Sequence, residues 1–327
     1  MRTRTKARMI FFVCAIEVLA LGFSLSSAQA QKIRIAVSNP DMSFLSGGVA
    51  KFKGFFAQEG LEAELIQMNA NVSIAALAGG NIDYNLILQS VVTGNLRGLP
   101  IKVAGILIER PNHVVVVNPK IKEYRDLKGK KIAVSSFGSL TDILARLTTA
   151  HFKLDPSSDV QFIAAGSSSA RTAQLQSGLV DACFVSPPAN LKAEKLGFKS
   201  LVYVRDVLIF PVNGVGVHEE KLKKHRGEVK KVLRALLKAN RFILDNRQGS
   251  IDVLAQWGRT DPRAAAEAYD ATVGNFSRDL LVSNETLERV IQSTKLNINL
   301  KRDVRLNEVF DLSIAREILK EMGETPK

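Results

Sequence analysis

The sequence has 327 residues, of which 46% are hydrophobic and 24% are charged, and its formal net charge is +13 at pH 7. The basic excess lies on helical faces such as 221–226 and is not interleaved with aromatic residues. The chain also has neither a helix-turn-helix pattern nor zinc-ligand spacing, so nucleic-acid binding is a poor explanation for the charge.

Residues 1–30 predict a cleaved secretory signal peptide. Four basic residues precede the largely apolar run 9–23, and small residues then form an Ala-x-Ala pattern before Gln31. A membrane anchor is the alternative, but the run is short and Glu17 interrupts it. The mature chain is therefore expected in the periplasm, exported by the general route. It would retain roughly 297 residues, enough for two domains, and a charge of about +10, which favours anionic ligands or membrane surfaces.

The mature chain begins with strand and helix patterns that alternate. Helix 49–58 is ended by Gly60, and a second helix ends at Gly79-Gly80. The predicted strands are 31–37, 61–68, 82–88 and 100–108. This β-α-β-α-β order predicts an α/β fold with a doubly wound, mostly parallel sheet.

A second copy of this unit follows and keeps the spacing of the first. A strand ends at Ser38 and again at Ser135, and a pattern x-L-x-x-G-x-(I/V)-D ends at Asp83 and at Asp181. The two intervals are 45 and 46 positions. The repeat predicts two lobes of like construction, each with a loop after its first strand. Both aspartates follow a glycine turn, which favours a structural capping role over a pair of catalytic carboxylates.

The chain crosses between the lobes twice, at polar breaks near 109–113 and 205–206. A return strand is predicted over 207–217, and helical patterns follow from 219 to 246, from Asp261-Pro262, from Asn284 and from 311 to 322. The predicted domains are lobe 1, residues 31–110 and 206–327, and lobe 2, residues 111–205. Two crossings permit hinge closure around a ligand.

Five motifs together resemble the periplasmic substrate-binding proteins of ABC importers. The similar branch handles nitrate, alkanesulfonates, taurine and thiamine-precursor pyrimidines. The motifs are residues 32–36, 59–65, 76–83, 126–132 and 174–182. The resemblance implies a two-lobed type II periplasmic binding fold with a hinge between the lobes. It also implies a ligand held between the lobes and delivered to a membrane permease and its ATPase.

No catalytic, metal or cofactor motif is evident in the sequence. The four histidines are scattered without ligand spacing, and no nucleophile elbow, P-loop or dinucleotide fingerprint occurs. Cys183 is the single mature cysteine and is interpreted as a buried small hydrophobe. An enzyme of the same superfamily makes the thiamine pyrimidine with a cysteine-rich motif, which this chain lacks. We therefore expect a binding protein rather than an enzyme.

Polar loops at the predicted strand ends and helix starts supply the candidate ligand contacts. Hydroxyls, amides and backbone N–H groups can bind an anion without an arginine, and they equally suit a neutral heterocycle. Arg171 is interpreted as a surface or inter-lobe salt-bridge residue. The candidates are Asn39, Ser43, Phe44, Asn71, Gln89, Ser90, Ser136, Phe137, Gly138, Ser139, Thr141, Ser168 and Ser186.

The predicted function is capture of a small solute, anionic or heterocyclic, by a monomer that serves an ABC importer. Two alternatives stay open at this point. One is a periplasmic sensor that presents its ligand to a signalling partner, which neighbouring genes would distinguish. The other is an enzyme on the same scaffold, which predicts turnover of a bound ligand.

Overall fold

The computed structural model describes residues 30–325. Within them the chain forms two five-stranded sheets whose strands correspond position by position. The first is ordered β2-β1-β3-β10-β4 and the second β7-β6-β8-β5-β9. The first comprises β1 (Gln31–Val37), β2 (Leu61–Gln67), β3 (Tyr84–Asn85), β4 (Ile101–Ile108) and β10 (Asn213–His218). The second comprises β5 (Val114–Val117), β6 (Lys131–Val134), β7 (Gln161–Ala164), β8 (Ala182–Val185) and β9 (Lys199–Tyr203).

One strand of each sheet runs against the others. In the first sheet it is β10, antiparallel to β3 and β4, and in the second it is β5, antiparallel to β8 and β9. The ladders that β1 and β6 form with their neighbours are parallel. Each reversed strand directly follows a crossing between the sheets. The predicted two-lobed α/β fold with mostly parallel sheets is confirmed, whereas the domain boundaries stay a prediction.

Helices cover the sheets, and we call each sheet with its helices a lobe. The helices before the first crossing are α1 (Leu45–Phe52), α2 (Phe55–Gln58), α3 (Ala70–Ala78) and α4 (Leu88–Leu96). Those that follow β6, β7 and β8 are α5 (Leu140–His151), α6 (Ser168–Gln176) and α7 (Ala189–Lys195). The helices after the second crossing are α8 (Glu219–Lys224), α9 (Arg226–Asp245), α10 (Arg247–Gly258), α11 (Pro262–Thr272), α12 (Asn284–Asn297), α13 (Leu306–Val309) and α14 (Ser313–Glu321). None of the helices in residues 30–325 is long and apolar enough to span a bilayer.

The two repeated aspartates make equivalent hydrogen bonds, one in each lobe. Asp83 accepts from the N–H of Arg34 at 2.8 Å, and Asp181 accepts from the N–H of Lys131 at 3.0 Å. Each therefore ties the start of one strand to its neighbouring strand. Both residues are structural, as predicted, but they join two strands and do not cap the glycine turn. Cys183 lies buried in β8, also as expected.

Several predicted element boundaries are wrong. The helix predicted over 49–58 is divided at Gly54, whose φ is +75°, and its first part already begins at Leu45. The strand predicted over 82–88 is limited to Tyr84–Asn85, because a helix begins at Leu88. The helix predicted over 219–246 breaks at His225. The signal-peptide prediction concerns residues that lie outside the described range, apart from residue 30.

Candidate ligand-binding cleft

The loops after β1 and β6 face each other across a cleft. Ser38 follows β1 and Ser135 follows β6, and both line one small cavity, which we call the inner cavity. In open α/β sheets, ligands bind at the carboxyl ends of the strands, which is where these loops lie. The inner cavity has a volume of about 40 Å³, and an outer cavity of about 330 Å³ shares Ser38, Asn39, Ala70 and Ser135 with it.

Both lobes contribute to the inner cavity. Its lining residues are Ser38, Asn39, Ser43, Phe44, Ala70, Ile87, His113, Ser135, Ser139, Leu140, Thr141, Arg171, Ser186 and Asn213. Most of these side chains carry a hydroxyl, an amide or a cationic group, and no carboxylate is among them. The lining is therefore suited to a ligand that accepts hydrogen bonds.

Three hydroxyls of the second lobe bond to one another beside this cavity. Ser135 Oγ donates to Ser139 Oγ at 2.8 Å, and Thr141 Oγ1 lies 2.9 Å from Ser135 Oγ and 3.0 Å from Ser139 Oγ. Ser139 is also the N-cap of α5, where its Oγ accepts from the N–H of Asp142. The first N–H groups of a helix have no partner within the helix, so this helix start favours an anion.

Ser43 joins the two lobes directly. Its Oγ lies 2.7 Å from Ser186 Oγ and donates to Asn112 Oδ1 at 3.1 Å. The side-chain amide of Asn213 donates to the carbonyl of Ser43. Ligand sites usually measure about 300–1,000 Å³, far more than the 40 Å³ enclosed here. The cleft is therefore closed, and a ligand larger than a small ion requires the lobes to separate.

Arg171 contributes a buried positive charge to the inner cavity. Its side chain is 1% exposed; Nε donates to the carbonyl of Phe184 at 2.7 Å, and Nη2 donates to Ser168 Oγ at 3.0 Å. A further bond runs from Nη1 to the carbonyl of Gly166. No ion pair within 4.0 Å involves Arg171 in the described part of the chain, so its interpretation as a salt-bridge residue is wrong. Burial lowers its pKa to about 10, so the guanidinium stays protonated at neutral pH.

Two further titratable groups are buried close to this charge. Burial raises the pKa of Asp41 to about 7, although the N–H of Ser43 and the charge of Arg171 oppose that shift. Burial, assisted by the charge of Arg171, lowers the pKa of His113 to about 3, so the imidazole is neutral at pH 7. Asp41 Oδ2 and His113 Nδ1 are both buried without a hydrogen-bond partner. Such atoms are costly to leave unpaired, and they are available to a ligand or a water molecule.

Six of the predicted site residues line the inner cavity. They are Asn39, Ser43, Phe44, Ser139, Thr141 and Ser186. Ser168 lies instead with Asp41 on an adjoining cavity of about 370 Å³. Phe137 and Gly138 line a separate space of about 630 Å³.

The other four candidates lie elsewhere. Gln89 Nε2 donates to Thr294 Oγ1 at 2.9 Å, and Ser90 Oγ donates to the carbonyl of Ile87 at 2.8 Å. Both are in the first turn of α4 and not in a strand-end loop, because that helix begins at Leu88. Asn71 is exposed in the first turn of α3, and the hydroxyl of Ser136 is buried without a partner.

Sequence reasoning misses several residues of the cleft. It identifies His113 only as one of four scattered histidines and Arg171 only as a salt-bridge residue. Asn112 and Asn213 receive no role. Their positions at the crossings between the lobes could have identified them. Asn112 and His113 lie in the first crossing segment, and Asn213 begins the reversed strand that follows the second crossing. Among residues 30–325, no group of three or more His, Cys, Asp or Glu side chains could hold a metal ion.

Comparisons with known proteins agree with this architecture. The alkanesulfonate-binding protein SsuA from Xanthomonas axonopodis pv. citri, solved with MOPS, is similar with a TM-score of 0.73 and 19% identity, over 87% of this chain and 99% of that one. The periplasmic nitrate-binding protein NrtA from Synechocystis PCC 6803 gives a TM-score of 0.73 and 14% identity, over 90% and 89% of the two chains. At such identities, the likeness concerns the fold, which is that of periplasmic binding proteins.

A family model identifies the family, and curated relatives match part of the chain. The chain is 34% identical over 98 residues to 4-amino-5-hydroxymethyl-2-methylpyrimidine phosphate synthase of Uromyces fabae, which is 28% of this chain and 29% of that protein. The chain spans less than half of the length of the curated relatives it matches. The model of the family described as NMT1/THI5 like matches residues 43–250, which is more than half of the chain. The chain therefore belongs to the NMT1/THI5-like family.

Proposed function

We propose that this protein is the solute-binding component of an ABC importer. It captures a small solute between its lobes in the periplasm and delivers it, as a monomer, to a membrane permease that works with an ATPase. The observation that carries the proposal is the cleft itself, where the loops after β1 and β6 close on one cavity. The fold shared with sulfonate- and nitrate-binding proteins supports it.

The lining of the cleft supports a solute that carries an anionic group. The buried guanidinium of Arg171, the hydroxyls of Ser139 and Thr141 and the start of α5 all favour negative charge. The outer cavity of about 330 Å³ can hold the rest of a larger solute. A sulfonate, nitrate, a carboxylate or a phosphorylated pyrimidine would each satisfy these groups.

A thermal-shift and calorimetric screen tests the proposal. The panel contains nitrate, alkanesulfonates, carboxylates and pyrimidines with and without phosphate. At 100 times its dissociation constant, a cleft ligand would stabilise the folded protein by about 2.7 kcal/mol. Thr141→Val should weaken the binding of that ligand, whereas Thr286→Val in the first turn of α12 should leave it unchanged. A panel in which no solute stabilises the protein would count against a binding role.

An enzyme on this scaffold is the second candidate, because one relative is named as a pyrimidine phosphate synthase. That candidate predicts a chemically altered product, whereas a binding protein returns its solute unchanged. Mass spectrometry of the solute before and after incubation with the protein distinguishes the two. His113 would be the first residue to replace in that case, because it lines the inner cavity and its Nδ1 is buried without a hydrogen-bond partner.

A further inference from the structure

A second cavity lies between the lobes, across the loop 135–139 from the cleft. Its volume is about 630 Å³, and its lining comes from α5 of the second lobe and from Arg97 and the end of α12 of the first lobe. Ser135 and Ser139 line the inner cavity, whereas Phe137 and Gly138 between them line the second cavity. The volume is in the range of small-molecule sites, and a molecule bound there would contact both lobes.

Apolar side chains form much of this second cavity. Ile143 and Leu147 of α5 line it, and Phe137 and Leu296 do so although they are 54% and 79% exposed. Exposed apolar side chains are ordinarily scattered singly over a protein surface. Here two of them, from different lobes, line one concave space, which suits an apolar ligand.

The lining of the second cavity also includes a cation, Arg97, that has no ion-pair partner among residues 30–325. Arg146 lines it, but its Nε lies 3.0 Å from Asp142 Oδ1 and its guanidinium lies 4.7 Å from the ring centroid of Phe162. Arg97 is exposed, and none of the side-chain hydrogen bonds or ion pairs in residues 30–325 involves it. A guanidinium without a partner beside an apolar wall suits an anionic group attached to an apolar body.

We propose that the second cavity binds a small organic anion, with its carboxylate, sulfonate or phosphate on Arg97 and its apolar body between Phe137 and Leu296. This site is separate from the cleft and does not depend on the solute that the cleft takes. The approach of the lobes supports it, since a Cβ built on Gly138 would lie 4.0 Å from Asn297 Nδ2. The loop from one lobe and the helix end from the other therefore border the same space.

Calorimetric titration with naphthalene-2-sulfonate, and with uncharged 2-naphthol as its neutral counterpart, tests the site. The same titration is made on Thr141→Val, which alters the lining of the cleft only, on Arg97→Gln and on Leu296→Ser. Arg289→Gln is the matched control. It also replaces an arginine by glutamine, but Arg289 lies on α12 at a position that does not line the cavity. Thermal unfolding of each variant verifies that it is folded.

We expect saturable binding of the sulfonate by the wild type, and binding of the same affinity by Thr141→Val. Arg97→Gln should weaken the binding of the sulfonate about tenfold, because one charge-assisted contact is lost. The binding of uncharged 2-naphthol should change little. Leu296→Ser should weaken the binding of both probes, and Arg289→Gln should weaken the binding of neither. The proposal is overturned if the wild type binds no sulfonate, if Thr141→Val weakens the sulfonate as it weakens a cleft solute, or if Arg97→Gln binds like the wild type. Weaker binding of the panel solutes by Thr141→Val concerns the cleft alone, so the two proposals can fail separately.

Discussion

Arg171 is the residue on which the charge of the cleft depends. Its guanidinium is nearly inaccessible to solvent and donates to two carbonyls of its own lobe. Arg171→Met would leave these carbonyls buried without donors, so we expect the free energy of unfolding to fall by about 3 kcal/mol. Arg247→Met removes an exposed ion pair with Asp270 and should cost less than about 1 kcal/mol. Urea denaturation measures both, and equal losses would contradict the buried role.

Asp41 and His113 should make the stability depend on pH in opposite directions. Asp41 has a pKa of about 7 in the folded protein against an ordinary 3.8, so between these values the folded state retains a proton and stability falls as pH rises. His113 has a pKa of about 3 against an ordinary 6.5, so between these values the unfolded state binds the extra proton and stability rises with pH. From about pH 4 to 6.5 the two effects oppose each other.

Single replacements separate these effects. Between pH 4 and 6.5, Asp41→Asn should become more stable relative to the wild type as pH rises, and His113→Gln less stable. Each change is of the order of 1–3 kcal/mol, because both groups are fully buried. Urea denaturation at pH 4.5 and 6.5 measures both. A constant difference from the wild type at the two pH values would show that neither group titrates as described.

At the scale of elements, the start of α5 has two functions that a matched pair of variants can separate. Ser139 caps this helix and also belongs to the hydroxyl cluster of the cleft. Ser283 caps α12 in the same manner but does not line the inner or the outer cavity. Ser139→Ala and Ser283→Ala should each lower the free energy of unfolding by about 1 kcal/mol.

Only Ser139→Ala should also weaken the binding of a cleft solute, by about tenfold. Denaturation gives the stability term and calorimetry with the best solute of the panel gives the affinity. If both variants bound that solute equally well, the hydroxyl of Ser139 would cap the helix without contributing to solute binding.

At the scale of the whole molecule, the proposed function requires the lobes to separate before a solute can enter. Ser43 and Ser186 lie on different lobes with their Oγ atoms 2.7 Å apart. Replacing both by cysteine should allow a disulfide that holds the cleft closed, so the oxidised double variant should not take up a cleft solute. A reducing agent should restore binding, and each single variant should bind in both conditions. Binding by the oxidised double variant, once mass spectrometry confirms the bond, would contradict entry by lobe separation.

The repeated motifs are sufficient by themselves to predict the architecture. The spacing from Ser38 to Asp83 and from Ser135 to Asp181 predicts two lobes of like construction, and Asp83 and Asp181 do make equivalent bonds. Each of these aspartates belongs to a short motif, so its role can be recognised from the neighbouring sequence. The strand-end loops are predictable for the same reason, and Ser43, Ser139 and Thr141 do line one cavity.

Only the tertiary structure decided which polar groups face the cleft. Gln89 lies in a helix and bonds Thr294, a partner 205 positions away that no local pattern indicates. The sequence favours a salt-bridge role for Arg171, yet the carbonyls and the hydroxyl that it bonds remove it from the surface. Helix and strand periods follow from neighbouring residues, whereas burial and charge environment arise where distant segments meet. The sequence therefore determined two lobes with facing loops, and the packing of those lobes decided that the cleft between them is closed and positively charged.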